Sequence, residues 1–228
     1  MFDIDQEHPQ YKTRRQVWQK YRDLYAGGEQ FKANAQSYLI PRQKEPGDVY
    51  RERLARVFYE NYTGSIVDWY AATLFRREPV LTFEGKSETA RAFFGELVED
   101  VDRKGTALAD FFRKQFVEGM VTGASYVLVD FPRVEKRAGN RAEEDAMGAA
   151  RAYLVDYSAE DLINWSTDEQ GNYEWVVLRT ESLKKDRVED AEWRREKRWA
   201  YYDKQTFRVY RQVMAEGGAG GSVELVDE

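Results

Sequence analysis

The segment Gly105–Pro132, GTALADFFRKQFVEGMVTGASYVLVDFP, decides the fold of this chain. Its first half predicts an amphipathic helix, because Leu108, Phe111, Phe112 and Phe116 recur at helical spacing. Its second half is apolar without interruption and predicts a short strand. The segment is therefore expected to form a helix-to-strand packing module.

The predicted strand, Tyr126–Val129, follows the glycines Gly119 and Gly123 and stops at Asp130. A strand that ends in an aspartate also occurs in nucleotide-hydrolysing enzymes, but these need a G-x-x-x-x-G-K-[ST] phosphate loop. The sequence contains no such loop, and the run Gly217–Ser222 has neither the lysine nor a following helix. The pattern favours a buried strand whose terminal aspartate bonds backbone amides.

Upstream of this module the sequence predicts helices. The first covers Thr13–Tyr25 and ends at Gly27-Gly28, since glycine is typical of helix C-termini. A long helix is predicted over Tyr50–Phe75, whose apolar residues recur every three or four positions. Gly64 within it is either a weak point or a point of close packing. The phenylalanines of the opening segment are expected to be buried against this long helix.

Two further elements are predicted between the long helix and the opening segment. These are a short strand over Val80–Phe83 and a helix capped by Ser87. From residue 152 onward strands dominate, with a turn or short helix over Ser158–Asn164. The predicted strands are Tyr153–Tyr157, Tyr173–Leu178, Arg198–Tyr202 and Phe207–Arg211.

The order of elements, helices first and strands afterwards, predicts an α+β fold with N-terminal helices packed on a mostly antiparallel sheet. We expect a single body over 1–228. Residues 1–132 are mainly helical with a buried strand, 133–151 form a mobile loop, and 152–228 are β-rich. The final strand-like segment after a GGAGGS run resembles a hairpin arm cut short, which predicts that the chain is part of a longer protein.

Composition excludes several functional classes. The 228 residues include no cysteine, which rules out disulfides and thiolate metal sites. The net charge of −6 argues against tight electrostatic binding of nucleic acid by the chain as a whole. The long apolar helix pattern is interrupted by charged residues, so we expect no membrane span.

Two candidate sites for chemistry are weak on sequence grounds. Glu84-Gly85-Lys86 resembles the E-x-K element of metal-dependent nucleases, but the nearest upstream acid, Asp68, falls inside a predicted helix. A surface turn is the favoured interpretation. His8 is the only histidine, and we expect it to be poorly tied down near the N-terminus. It therefore cannot complete a serine triad or a histidine-rich metal site.

Two charged clusters also have plainer explanations than catalysis. Asp156, Glu160 and Asp161 form a small acidic group in which Asp161 is a possible cation ligand, but helix capping after Ser158 is favoured. The mixed-sign run Asp186–Arg198 predicts a solvated loop or short helix. We predict no catalytic, cofactor-binding or metal-binding residue, assign no DNA-binding residue, and expect that the chain is not an enzyme.

Taken together, the segments resemble the N-terminal half of portal proteins of tailed phages and prophages. The order and spacing of the segments, rather than any one motif, support this resemblance, which extends to about Glu181. The matching segments are HPQY at His8–Tyr11, VWQKYRDLYAGGEQFKANAQSYLIPR at Val17–Arg42, FYENYTGSIVDWYAATLFRREP at Phe58–Pro79, VDRKGTALADFF at Val101–Phe112, GASYVLVDFP ending at Pro132, AYLVDYSAEDLINW at Ala152–Trp165 and WVVLRTE at Trp175–Glu181.

The resemblance implies a structural role. Portal subunits form a ring, typically a dodecamer, at one capsid vertex. DNA is packaged and ejected through the channel of this ring, while terminase, capsid and head-tail connector proteins dock on it. The implied location is the virion, with assembly in the host bacterial cytoplasm. Such rings close through head-to-tail contacts, and abundant Tyr and Trp suit those contacts.

The chain departs from the portal pattern after Val213, where nothing supplies the channel-lining stem helix or the clip. The resemblance therefore covers only a wing-like body. Two alternatives stay open: a metal-dependent nuclease or DNA-processing enzyme that uses Asp130 with Glu84–Lys86 or with the Asp156 cluster, and a non-portal head or connector protein.

Overall fold

The computed structural model describes residues 3–79, 82, 84, 87–131, 139–140, 143, 151–185, 187–188, 193–213 and 223–227. Within them the chain forms six α-helices and two antiparallel sheets, so the predicted α+β class is confirmed. The predicted strand Val80–Phe83, most of the predicted loop 133–151 and the run Gly217–Ser222 lie outside the described residues.

Glycine and serine end or begin the helices as predicted. Gly27, with φ of 62°, follows the first helix, and Gly123, with φ of 80° in the left-handed region, ends the sixth. Ser87 caps the fifth helix, since its side chain accepts a hydrogen bond from the Ala90 amide at 3.3 Å. The helices are α1 Pro9–Ala26, α2 Gly28–Ala33, α3 Gly47–Ala55, α4 Tyr62–Leu74, α5 Glu88–Glu99 and α6 Leu108–Thr122, with a short 3-10 helix at Ala35–Ser37.

The predicted long helix Tyr50–Phe75 is wrong, because α3 and α4 are separated at residues 56–61. Asn61 starts α4: its side chain accepts from the Gly64 amide at 2.8 Å and donates to the Tyr25 carbonyl at 2.7 Å. The Tyr59 hydroxyl donates to the Leu24 carbonyl at 3.0 Å. These contacts tie the break to the end of α1, which local periodicity cannot reveal.

The described residues form two compact units. One consists of Met1–Gln16 and Glu160–Glu228, and the other of Val17–Ala159. The first unit contains a five-stranded antiparallel meander in the order β3-β4-β5-β6-β7, which agrees with the predicted mostly antiparallel sheet. The prediction of one body over both units stays a prediction. The meander strands are β3 Leu162–Thr167, β4 Tyr173–Lys184, β5 Arg194–Asp203, β6 Phe207–Val213 and β7 Glu224–Asp227.

Two predictions in the β-rich part of the chain are corrected in part. Of the two forms predicted for Ser158–Asn164, a turn is observed, at residues 159–161, and β3 begins at Leu162, so the favoured helix capping after Ser158 is wrong. Arg194–Arg198 belongs to β5 rather than to a solvated loop or helix. The reason is cross-strand pairing of the charges: Lys197 lies opposite Glu181, and their side chains form an ion pair at 3.5 Å.

The N-terminal segment is held on the meander, which contradicts the expectation for His8. The His8 amide donates to the Ile163 carbonyl at 2.8 Å, and its ring stacks on Trp165 with centroids 4.0 Å apart. Tyr11 is buried, and its hydroxyl donates to the Glu160 carbonyl at 3.0 Å. The partners of this segment lie some 150 residues away in sequence, so position near a terminus was a poor guide.

The second unit holds the helix-to-strand module. The buried Trp18 of α1 donates from its indole nitrogen to the Thr122 carbonyl at 3.0 Å. Phe111 is buried as predicted, and Phe116 contacts Phe75 edge to face at 6.0 Å. Phe112 is exposed, so its predicted burial is wrong. Adjacent helical residues point about 100° apart, so Phe111 and Phe112 cannot both face one neighbour.

The strand of this module is only half buried. β1, Tyr126–Asp130, pairs with β2, Tyr153–Tyr157, in a two-stranded antiparallel ribbon. Exposed and half-buried residues alternate along β1, and Val129 is 61% exposed. The prediction of a buried strand is therefore wrong for one face, because successive side chains of a strand point to opposite faces and one face of this ribbon is open.

Candidate functional site

Asp130 is engaged at the end of β1 as a structural residue. One carboxylate oxygen accepts from the Phe131 amide at 2.8 Å and the other from the Tyr153 hydroxyl at 3.0 Å. This agrees with the prediction that it bonds a backbone amide at the strand terminus. Both carboxylate oxygens therefore have protein hydrogen-bond donors.

The E-x-K element lies mostly outside the described residues. Glu84 is exposed, and Gly85 and Lys86 lie outside the described residues. Asp68 lies on α4 and accepts a hydrogen bond from the Tyr25 hydroxyl at 2.8 Å. Burial, together with this carboxylate, raises the pKa of Tyr25 to about 12. Asp68 is thus committed to a contact between α4 and α1.

The predicted acidic cluster is divided between different partners. The Asp156 carboxylate accepts from the Lys114 ammonium at 2.5 Å in the second unit. In the first unit, the backbone oxygens of Glu160 and Asp161 accept from the Tyr11 hydroxyl and the Arg179 amide. Among the described residues, no three His, Asp or Glu side chains lie close enough together to hold a metal ion.

The feature that stands out is an apolar surface on α4. We call it the α4 stripe, and its five side chains are 49% to 63% exposed. The opposite side of the helix is buried through Gly64, Val67 and Ala71. The α4 stripe consists of Tyr62, Ile66, Trp69, Tyr70 and Leu74.

The α4 stripe is one continuous face. At 100° per residue its members fall within a sector of about 140° that borders the buried sector. An apolar groove of about 190 Å³ adjoins it, because Thr63 and Val67 of α4 line this groove. The other residues that line this groove are Tyr21, Leu24, Tyr25, Met120 and Val121.

A helix that is apolar around most of its circumference is normally buried.

The size and composition of the α4 stripe indicate a protein–protein contact. Three aromatic and two aliphatic side chains at this exposure present on the order of 500 Å² of surface. That value is at the upper end of the largest apolar patches of monomeric proteins, which are often functional. The stripe contains no charged residue, and aromatic enrichment with depletion of charge characterises interface cores.

In the sequence, these α4 residues are marked only by their helical spacing. Their helical spacing predicts burial, and it does not distinguish burial inside the subunit from burial against another molecule. The available signal was that apolar residues cover more than half of the circumference of α4, which exceeds what one neighbouring face can cover.

No protein-family model matches the chain, and no curated protein is significantly similar to it. No helix in the described part of the chain is both long and apolar enough to span a membrane.

Proposed function

We propose that this chain is a structural subunit, or the N-terminal portion of one, of a portal-type ring at a phage capsid vertex. The observation that supports the proposal best is the α4 stripe, an uncharged aromatic face open to solvent. A subunit that functions by assembling needs such a face, whereas an enzyme needs convergent polar groups in a cleft.

Two further considerations support this role. The order of sequence segments resembles the N-terminal half of portal proteins, and the same resemblance suggests terminase, capsid and connector proteins as partners and the virion as location. The net charge of −6 suits a ring through which DNA must slide, because a strongly basic surface would bind phosphates and slow its passage.

Electron microscopy with native mass spectrometry tests the proposal on protein expressed from the complete gene. We expect closed rings with a central opening, of about a dozen subunits if the portal resemblance holds. Closed assemblies without an opening would support a non-portal head or connector protein instead. A protein that stays monomeric at micromolar concentration would overturn the proposal.

A nuclease assay tests the enzymatic alternative separately. Plasmid DNA incubated with the protein and Mg²⁺ or Mn²⁺ is expected to stay intact, because both Asp130 oxygens are engaged by protein donors. Metal-dependent cleavage that disappears in Asp130→Ala would replace the portal proposal with the nuclease hypothesis.

A further inference from the structure

The β1–β2 ribbon has an open face that is apolar along β1. Val127 and Val129 of β1 are exposed, and the exposed Phe131 follows directly after the strand. Residues at every second position share one face of a strand, so Val127 and Val129 lie side by side, and the residues opposite them, Asp156 and Leu154, share that face. We call this surface the ribbon face.

The outer edge of β1 is also open. The Leu154 amide donates to the Val101 carbonyl at 2.7 Å, so this amide points away from β1. Leu154 lies opposite Val129, and the two residues therefore form a non-hydrogen-bonded pair of the antiparallel ladder. The backbone groups of Val127 and Val129 therefore point away from β2. In the described part of the chain, β2 is the only strand that pairs with β1. A two-stranded ribbon with an apolar face usually requires another element to cover it.

The α4 stripe and the ribbon face are complementary halves of a helix-on-sheet layer. Helices and sheets bury their apolar faces by packing against each other in layers. In this chain both faces are exposed at the same time, so neither is covered by the other within one subunit. Each face is therefore available to the matching face of another copy.

We propose that the α4 stripe of one copy packs on the ribbon face of the next copy. This inference rests on the proposed function, because a ring that closes by rotation needs two different surfaces on each subunit. A two-fold contact of α4 with α4 would form dimers and leave the ribbon face open.

The surface areas fit this contact. The α4 stripe presents on the order of 500 Å² and the three ribbon side chains roughly 250 Å². Together they amount to about half of the ~1,600 Å² buried in a standard interface. The remaining area of a standard interface would have to come from the polar residues that surround these apolar side chains.

Disulfide cross-linking tests the contact directly, because the native chain has no cysteine. The double variant Ile66→Cys/Val129→Cys, under mild oxidation, is expected to give a ladder of dimers, trimers and higher multimers. Each single variant alone is expected to stay uncross-linked. The control variant Leu183→Cys/Val129→Cys pairs the ribbon with an equally exposed residue of the other unit, and it should give no ladder.

A charge substitution provides a second readout. Trp69→Glu should abolish assembly without altering the circular dichroism spectrum, since this side chain is 61% exposed in the subunit. The matched control is Trp193→Glu, whose side chain is 63% exposed in the other unit and which should assemble like the native protein.

The outcomes separate this inference from the proposed function. Suppose that the native protein forms rings. If Trp69→Glu also forms rings, or if the double-cysteine variant gives no ladder of multimers, the proposed contact is overturned and the portal role is unaffected. Efficient cross-linking of Ile66→Cys alone would overturn it in favour of a two-fold contact. A native protein that never assembles would overturn both.

Discussion

At the scale of single residues, Arg179 fastens the N-terminal segment to the meander. Its side chain is 13% exposed and donates to Asp5 at 2.8 Å, to Glu7 at 3.2 Å and to the Tyr11 hydroxyl at 3.2 Å. The Trp199 indole nitrogen donates to the same Asp5 oxygen at 2.8 Å. One guanidinium thus connects three residues of the N-terminal segment to the centre of a strand.

Replacing Arg179 with Ala is expected to lower the free energy of unfolding by about 2–3 kcal/mol, because it removes the ion-pair partner of the partly buried Asp5 carboxylate and one of the two cations beside Glu7. The matched control is Arg15→Ala, since Arg15 also pairs with Glu7, at 3.2 Å, but is largely exposed. That control should change stability by under about 0.5 kcal/mol. Urea denaturation measures both, and equal effects would contradict the role of Arg179.

The same network predicts how stability depends on pH. Burial raises the pKa of Asp5, but hydrogen bonds from Arg179 and Trp199 outweigh it and hold the pKa below its ordinary value. A carboxyl whose pKa is depressed in the folded state contributes stability above its unfolded pKa and loses it as pH falls. The difference in free energy of unfolding between the native protein and Arg179→Ala should therefore be largest at pH 7 and should decrease below about pH 4.

At the scale of elements, α4 depends on close approach to α1. A Cβ on Gly64 would lie 2.6 Å from the Tyr25 carbonyl oxygen, closer than atoms tolerate. The sequence allows Gly64 to be either a weak point of the helix or a point of close packing, and the structure identifies it as a point of close packing. The same approach explains the break before α4, because Asn61 bonds the Tyr25 carbonyl as well.

Two glycine-to-alanine substitutions should therefore have opposite effects. Gly64→Ala is expected to destabilise by roughly 1–3 kcal/mol through overpacking. Gly119→Ala, inside α6 where an added Cβ meets nothing within 4 Å, should stabilise by up to about 1 kcal/mol through helix propensity. Thermal and urea denaturation would measure both. A stabilising Gly64→Ala would show that α4 and α1 are less closely packed than described.

At the scale of the whole molecule, the net negative charge is expected to weaken binding to DNA. With a net charge of −6, we expect double-stranded DNA to bind more weakly than about 100 μM at physiological salt, the weak end of non-specific affinities. Fluorescence anisotropy with a labelled duplex measures this. Tight binding that weakens steeply with added salt would reveal a basic surface and would contradict a sliding contact.

Several features of the fold could be predicted because they depend on local chemistry. Gly27, Ser87 and Gly123 mark helix ends through backbone conformation and capping, which act within a few residues. The alternating strands Arg198–Tyr202 and Phe207–Arg211 predicted the antiparallel pairing of β5 and β6, whereas β3 was predicted as a turn or short helix. The candidate site was only half predictable: spacing identified the apolar residues of α4, but not which of them would stay exposed.

By itself, the sequence determined the α+β class and the helix ends at Gly27, Ser87 and Gly123, because these follow from local propensity and periodicity. Only the tertiary structure decided that the predicted long helix is broken at residues 56–61, that His8 lies on Trp165, and that the α4 stripe and the ribbon face are open. The physical reason is that these features depend on contacts between residues far apart in the chain. The spacing of hydrophobic residues indicates that a side chain favours burial. Only the folded structure shows whether other residues of the same chain cover that side chain.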